Sequence, residues 1–172
     1  MTGRRKQWAL IIDTSSLIVL LDELGFHEKL EELSKKYDLI VTREVLEEYQ
    51  KPLPSFFLIG KDESFDNIYF HGLGKGEASV IRFSIKFIEN KIYNLVIAVS
   101  DDKKARSTCD KLGIRCLGTL GIIELLKLNK IISKLDAIKI IDFIYNYSSL
   151  YMTRSLRNKI ISKIKNQFLN II

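Results

Sequence analysis

Four acidic side chains follow apolar stretches of this sequence, and their type and placement are what could do chemistry. Asp13 ends "WALII" and precedes "TSSLIVLL"; Glu48 lies in "REVLEEYQ", behind "DLIVT". Glu77 opens the helical pattern "GEASVIRFSIKFIEN" just after "GLGKG", and Asp102, with Asp101 beside it, follows "YNLVIAVS". If these apolar stretches are strands of one open α/β sheet, the acids gather beyond its carboxyl edge, where such sheets keep their ligand sites. Converging carboxylates raise one another's pKa unless a cation compensates. Mg²⁺ or Mn²⁺ does so with oxygen ligands, filling its remaining positions with water and phosphate. Such a centre orients a phosphodiester, activates a water and neutralises the leaving oxygen, with no histidine or serine nucleophile. That suits a chain whose only histidines, His27 and His71, belong to no recognisable triad. Taken singly, the same acids have plainer readings. Asp13, Asp101 or Asp102 is an ordinary helix N-cap, Glu77 a first-turn acid favoured by the helix dipole, and Glu48 a solvated surface charge. Four in register are harder to explain that way.

The elements that must position them can be read from periodicity. After the apolar run 8–12, Leu17, Leu20, Leu21 and Leu24 recur at helical spacing. Residues 27–37 predict a second amphipathic helix, "DLIVT" (38–42) a buried strand, and "REVLEEYQ" a short helix closed by Pro52. Residues 51–67 turn to Pro, Ser, Gly and Asp around "SFFLIG" and read as an irregular surface segment. The alternation then resumes, with a strand at 67–73, a helix at 76–90, a strong buried strand at 93–100 and a helix at 101–113 capped by Gly113. A short strand at 114–119 is last, and three helices follow at about 120–129, 135–147 and 153–168. Apolar strands alternating with helices specify a parallel sheet covered on both faces, so the fold class is α/β. The expected organisation is a core over residues 1–125 and a basic helical C-terminal extension over 126–172, packed on the same domain.

Composition narrows the class of protein. The chain has 172 residues, 47% hydrophobic and 28% charged, which allows a substantial core and argues against disorder. Two cysteines, Cys109 and Cys116, lack CxxC spacing and give no support to a zinc cluster or a disulfide framework. A reducing, cytoplasmic compartment is expected. The basic start "MTGRRKQW" does not lead into a signal peptide, because the apolar run is broken by Asp13 and Asp22. No uncharged run reaches the roughly 18 residues needed to span a bilayer, so no membrane partner is expected. The net charge of +6 is uneven: from Lys127 onward, nine Lys/Arg face only two acids. A basic end on a near-neutral body suits a polyanion such as RNA, although a Lys-rich and Ile-rich composition has the same appearance.

Four segments together carry a family resemblance: "IIDTSSLI", "VTREVLEEY", "GLGKGEASVI" and "VIAVSDDKKARSTCDKLGIRCLGTLGII". They span about residues 8–125, and the last is the most specific. The sequence resembles the PIN-domain ribonucleases and, within them, the short prokaryotic toxins of VapC type. The resemblance implies a PIN-like three-layer sandwich and a Mg²⁺- or Mn²⁺-dependent endoribonuclease. It makes Asp13, Glu48, Glu77 and Asp102 the catalytic and metal-site acids, with Asp101 a fifth carboxylate and Ser15 a polar support beside Asp13. The choice of Glu48 over Glu44 and Glu47 rests on the "VLEEY" match. Glu77 departs from the many relatives that carry Asp there. A homodimer, and for the toxin branch an antitoxin that plugs the acidic cleft, are also implied.

Two motifs are set aside. "GLGKG" lacks the GxxxxGK[ST] pattern of a phosphate loop. "DTS" lacks the second acid two residues on that an aspartyl phosphotransferase needs, since position 15 is Ser. RNA contacts are expected from Lys103, Lys104, Arg106, Arg154 and Arg157. The alternatives are a nuclease of RNA processing or quality control, and a non-catalytic nucleic-acid-binding module whose acids are only caps.

Overall fold

A computed structural model describes residues 7–60 and 70–166. Five parallel strands form one sheet: β1 (Trp8–Ile12), β2 (Tyr37–Thr42), β3 (Phe57–Gly60), β4 (Leu95–Val99) and β5 (Arg115–Leu117). Their order is β3-β2-β1-β4-β5. Ala9 to Ile12 are completely buried although successive residues point to opposite faces, so both faces of β1 are covered, as the unbroken apolar run requires. The helices that cover the sheet make an α/β sandwich.

The first crossover comprises α1 (Thr14–Ile18), a π-helical turn over Val19–Glu23 and α2 (His27–Ser34). Between β2 and β3 runs α3 (Arg43–Tyr49), and between β3 and β4 runs α4 (Lys75–Glu89). The short α5 (Lys103–Lys111) joins β4 to β5. The chain therefore adds β2 and β3 on one side of β1, then returns to place β4 and β5 on the other. The order reverses between β1 and β4, and the crevice beyond their carboxyl ends is the topological switch point of the sheet.

The third strand corrects the sequence reading. Phe57–Gly60 lies inside the stretch expected to be irregular and pairs with Leu39–Thr42 of β2. The strand expected at 67–73 falls partly outside the described residues, and its described part, 70–73, is a turn with Gly72 at φ +75°. As an edge strand of four residues, β3 leaves Leu58 and Ile59 about half exposed, so it lacks the clean apolar signature of the central strands. A second difference concerns α3, which is closed by Gln50 in the left-handed region, its N–H donating to Leu46 O, rather than by Pro52.

The chain divides into two compact units, one ending at Thr119 and one beginning at Leu120. The second unit contains α6 (Thr119–Leu128), which starts at the last residue of the first unit, with α7 (Lys134–Tyr147) and α8 (Arg154–Asn166). A Ser133–Asp136 capping box starts α7, and Asp142 on α7 pairs with Arg157 on α8 at 2.6 Å. No helix among the described residues is long and apolar enough to cross a membrane.

Candidate active site

Asp13 stands where β1 ends and α1 begins, only 1% exposed. Its N–H still belongs to the sheet, donating to Val99 O at 3.0 Å, while its side chain caps α1 by accepting the Ser16 N–H at 2.8 Å. The Ser15 hydroxyl lies 3.2 Å from both carboxylate oxygens, and the Ser100 hydroxyl at the end of β4 donates as well. Burial pushes the Asp13 carboxyl above its ordinary range, against the pull of these hydrogen bonds, and the negative charge of Asp101 pushes the same way. Capping alone does not call for such burial. A solvated Ser or Asp cap would serve the same helix at less cost.

Asp101 is held from three directions. The Thr119 N–H donates to Oδ1 at 2.9 Å, the Thr119 hydroxyl donates to Oδ2, and the Ser16 hydroxyl lies 3.3 Å from Oδ2. Ser16 thus links the two acids at the switch point, with its backbone on Asp13 and its hydroxyl on Asp101. Asp102 behaves differently: it is exposed, and its Oδ1 accepts the Ala105 N–H at 2.8 Å as the N-cap of α5. Of the two acids after β4, the one brought to Asp13 is Asp101.

Glu48 is reached through α3 and α4. Thr42 at the end of β2 caps α3 through Val45 N–H and shares a 2.6 Å hydrogen bond with Ser79 of α4, both fully buried. Glu44 and Arg82 pair across the same two helices at 3.2 Å, and Glu47 pairs with Arg43 one turn back on its own helix. Only Glu48 of the three turns toward the start of α4. There it accepts the Gly76 N–H at 2.9 Å and the Thr14 hydroxyl at 2.5 Å, which places it beside the residue that follows Asp13. Gly76 is glycine for a reason: a Cβ there would fall within 3.0 Å of Glu48 Oε2 and at 3.0 Å from Thr14 Oγ1. Glu77 folds back over Gly74, the residue before its helix, in the manner of a first-turn acid.

Among the described residues, no three His, Cys, Asp or Glu side chains are gathered closely enough to form a ready-made ion cage. The donor chemistry is nevertheless that of a hard cation, with carboxylate and hydroxyl oxygens only. Mg²⁺ is commonly held by one or two carboxylates, with waters and substrate phosphates filling the rest. The Asp13 and Asp101 pair fits that mode, whereas an all-protein cage of four acids does not match the arrangement.

A PIN-domain family model matches residues 9–166, nearly the whole chain. The chain belongs to the PIN-domain family. PIN domains are typically metal-dependent nucleases, which agrees with a nuclease fold whose acids meet at the switch point. A search of curated proteins finds no match. In this PIN domain, Thr14, Ser16, Gly76, Ser100 and Thr119 join the acids at the site, although nothing in the chain marks them separately beyond "DTSS", "GKG" and "GTLG". The basic residues divide as well. Lys103, Lys104 and Arg106 are exposed on α5, with the Lys104 ammonium close to Gly72. In the second unit Arg154 is exposed, whereas Arg157 is engaged by Asp142 and lies over the Tyr145 ring.

Proposed function

We propose that this PIN domain is a Mg²⁺- or Mn²⁺-dependent endoribonuclease in which Asp13 and Asp101 hold the ion and Glu48 lines the mouth of the site. The observation that carries the reading is the buried Asp13 carboxylate at the switch point, coupled to Asp101 and tied to it through Ser16. Two negative groups kept together at that position are what a divalent cation relieves. When bound, such an ion supplies charge neutralisation at a phosphodiester and an acidified water. The protein's own part is orientation. Ser15 and Ser16 fix Asp13, Thr119 fixes Asp101, and Thr14 with Gly76 fixes Glu48, so little rearrangement is left for the reacting complex. Lys103, Lys104 and Arg106 supply phosphate contacts beside the acids, with an affinity that falls steeply with salt.

The test is cleavage of labelled RNA with Mg²⁺, with Mn²⁺ and with chelator. Asp13→Asn and Asp101→Asn are expected to abolish cleavage, and Asp102→Asn to reduce it far less. Cleavage that survives the first two substitutions overturns the site, and loss only in Asp102→Asn returns the role to the neighbouring acid. The four-segment resemblance supports a toxin held in check by an antitoxin. A small upstream reading frame for a DNA-binding protein that blocks cleavage is the expected sign, and its absence favours RNA processing. A homodimer, implied by the same resemblance, is tested by sedimentation.

A further inference from the structure

Helix α7 presents Leu135, Lys139, Phe143 and Tyr147 at intervals of four, hence along one line of its surface. All four are exposed, Leu135 by 61%, Phe143 by 42% and Tyr147 by 77%, and Tyr151 just beyond the helix by 86%. The Phe143 and Tyr147 rings lie 5.4 Å apart, tilted by 44°, so each steadies the other while their outer faces stay in solvent. A line of open aromatic rings would ordinarily be a solubility cost. The charge around it says what covers it. Between Leu120 and Asn166 there are nine Lys/Arg and three acids, and each acid already has a partner in the same unit. Glu124 pairs with Lys163 at 2.9 Å, Asp142 with Arg157 at 2.6 Å, and Asp136 closes the capping box. The surplus is therefore positive, with exposed Lys139 in the aromatic line and exposed Arg154, Lys159 and Lys165 on α8.

We infer that this face of α7 is a stacking platform for single-stranded RNA, with unpaired bases lying on Phe143 and Tyr147 and phosphates on Lys139 of the same line and on the surplus cations of the unit. Rings and cations in combination are how proteins hold a single strand without reading its sequence. The inference rests on the nuclease reading only in its choice of RNA as ligand, because it concerns binding by residues other than the acids.

The experiment measures anisotropy of a short fluorescein-labelled single-stranded RNA with the full chain carrying Asp13→Asn, in chelator, so that binding is separated from cleavage. Tyr147→Ala is expected to weaken binding about 5- to 20-fold, the lower part of the range for losing one stacked base. Tyr147→Phe is expected to bind as the parent does. Tyr147→Leu keeps an apolar side chain but no ring, and is expected to lose as much as Ala. Duplex RNA, with its bases paired, is expected to compete poorly. Unchanged binding in Tyr147→Ala overturns the inference, as does full rescue by Leu. Loss of self-association in sedimentation with RNA affinity intact overturns it too, and assigns the face to a protein contact. The nuclease reading fails separately, when the unsubstituted protein binds this RNA but never cleaves it with either metal.

Discussion

Replacing Gly76 with alanine separates activity from stability, because two effects of known sign act on different groups. Gly76 is the second residue of α4 with an ordinary negative φ, so alanine meets no backbone strain. In a helix interior the change stabilises by about 0.8–1 kcal/mol, and in the first turn by less. Against this, the new Cβ would fall within 3.0 Å of Glu48 Oε2 and at 3.0 Å from Thr14 Oγ1. Glu48 is exposed and its carboxylate is the far end of a flexible side chain, so it swings away rather than forcing the helix apart. What is lost is its hydrogen bond from Thr14, at 2.5 Å, and the aim of its bond from Gly76 N–H, at 2.9 Å. At an exposed site these contribute about 0.5–1.5 kcal/mol each, comparable in size to the helix gain. The net loss is therefore at most about 2 kcal/mol, and the melting temperature is expected to fall by no more than about 8 °C. Cleavage depends on where the carboxylate sits, and an ångström of misplacement costs about 100-fold. The assay pairs a thermal melt with initial rates on labelled RNA in Mn²⁺. A variant that cleaves at the parental rate shows that Glu48 need not be aimed by this contact, and refutes the reasoning. A variant that unfolds shows that Glu48 could not move aside.

Two further substitutions probe the acids themselves. Burial raises the Asp13 carboxyl, so the folded state holds its proton more tightly than the unfolded chain, and this group weakens the fold as pH rises through the folded-state value. Asp13→Asn is expected to match the parent at acid pH in chelator and to melt at higher temperature near neutrality, with divalent ions narrowing the gap; a gap that ignores pH refutes the cause assigned to it. Thr119→Val keeps the backbone bond to Asp101 Oδ1 but removes the hydroxyl from a fully buried position, at an expected cost of about 1.5–3 kcal/mol in chemical denaturation and a clear loss of cleavage. Unaltered cleavage in that variant shows that Asp101 does not depend on Thr119.

The parts legible in the sequence are those governed by a repeating physical requirement. β1 and β4 announce themselves because strands buried on both faces must be apolar at every position, and the α/β class follows from their alternation with helices. β3 carries no such mark, because an edge strand of four residues needs no such run. The site divides along the same line. Asp13 is conspicuous as a charge at the end of a buried strand, whereas Asp101 and Asp102 are adjacent acids that differ only in which way successive side chains point. Sequence cannot choose between them, since each satisfies the preference for an acid before a helix. Thr119 is harder still, for a threonine at the start of a helix reads as a cap until its hydroxyl is seen on a carboxylate from another strand. Glu48 could be told from Glu44 and Glu47 only by family pattern, and its companions Thr14 and Gly76 by neither route.

The backbone bond from Asp13 N–H to Val99 O makes the sheet itself a ruler. Adjacent strands lie about 4.8 Å apart, a spacing imposed by peptide hydrogen bonding and common to every sheet. The root of Asp13 is thus set one strand spacing from the end of β4, two residues before Asp101, by a lattice constant that surface loops cannot alter. Insertions in the crossovers, or drift in the helices, leave that separation untouched. Retuning such a centre toward a larger or smaller ion falls to side-chain length alone, at very few positions.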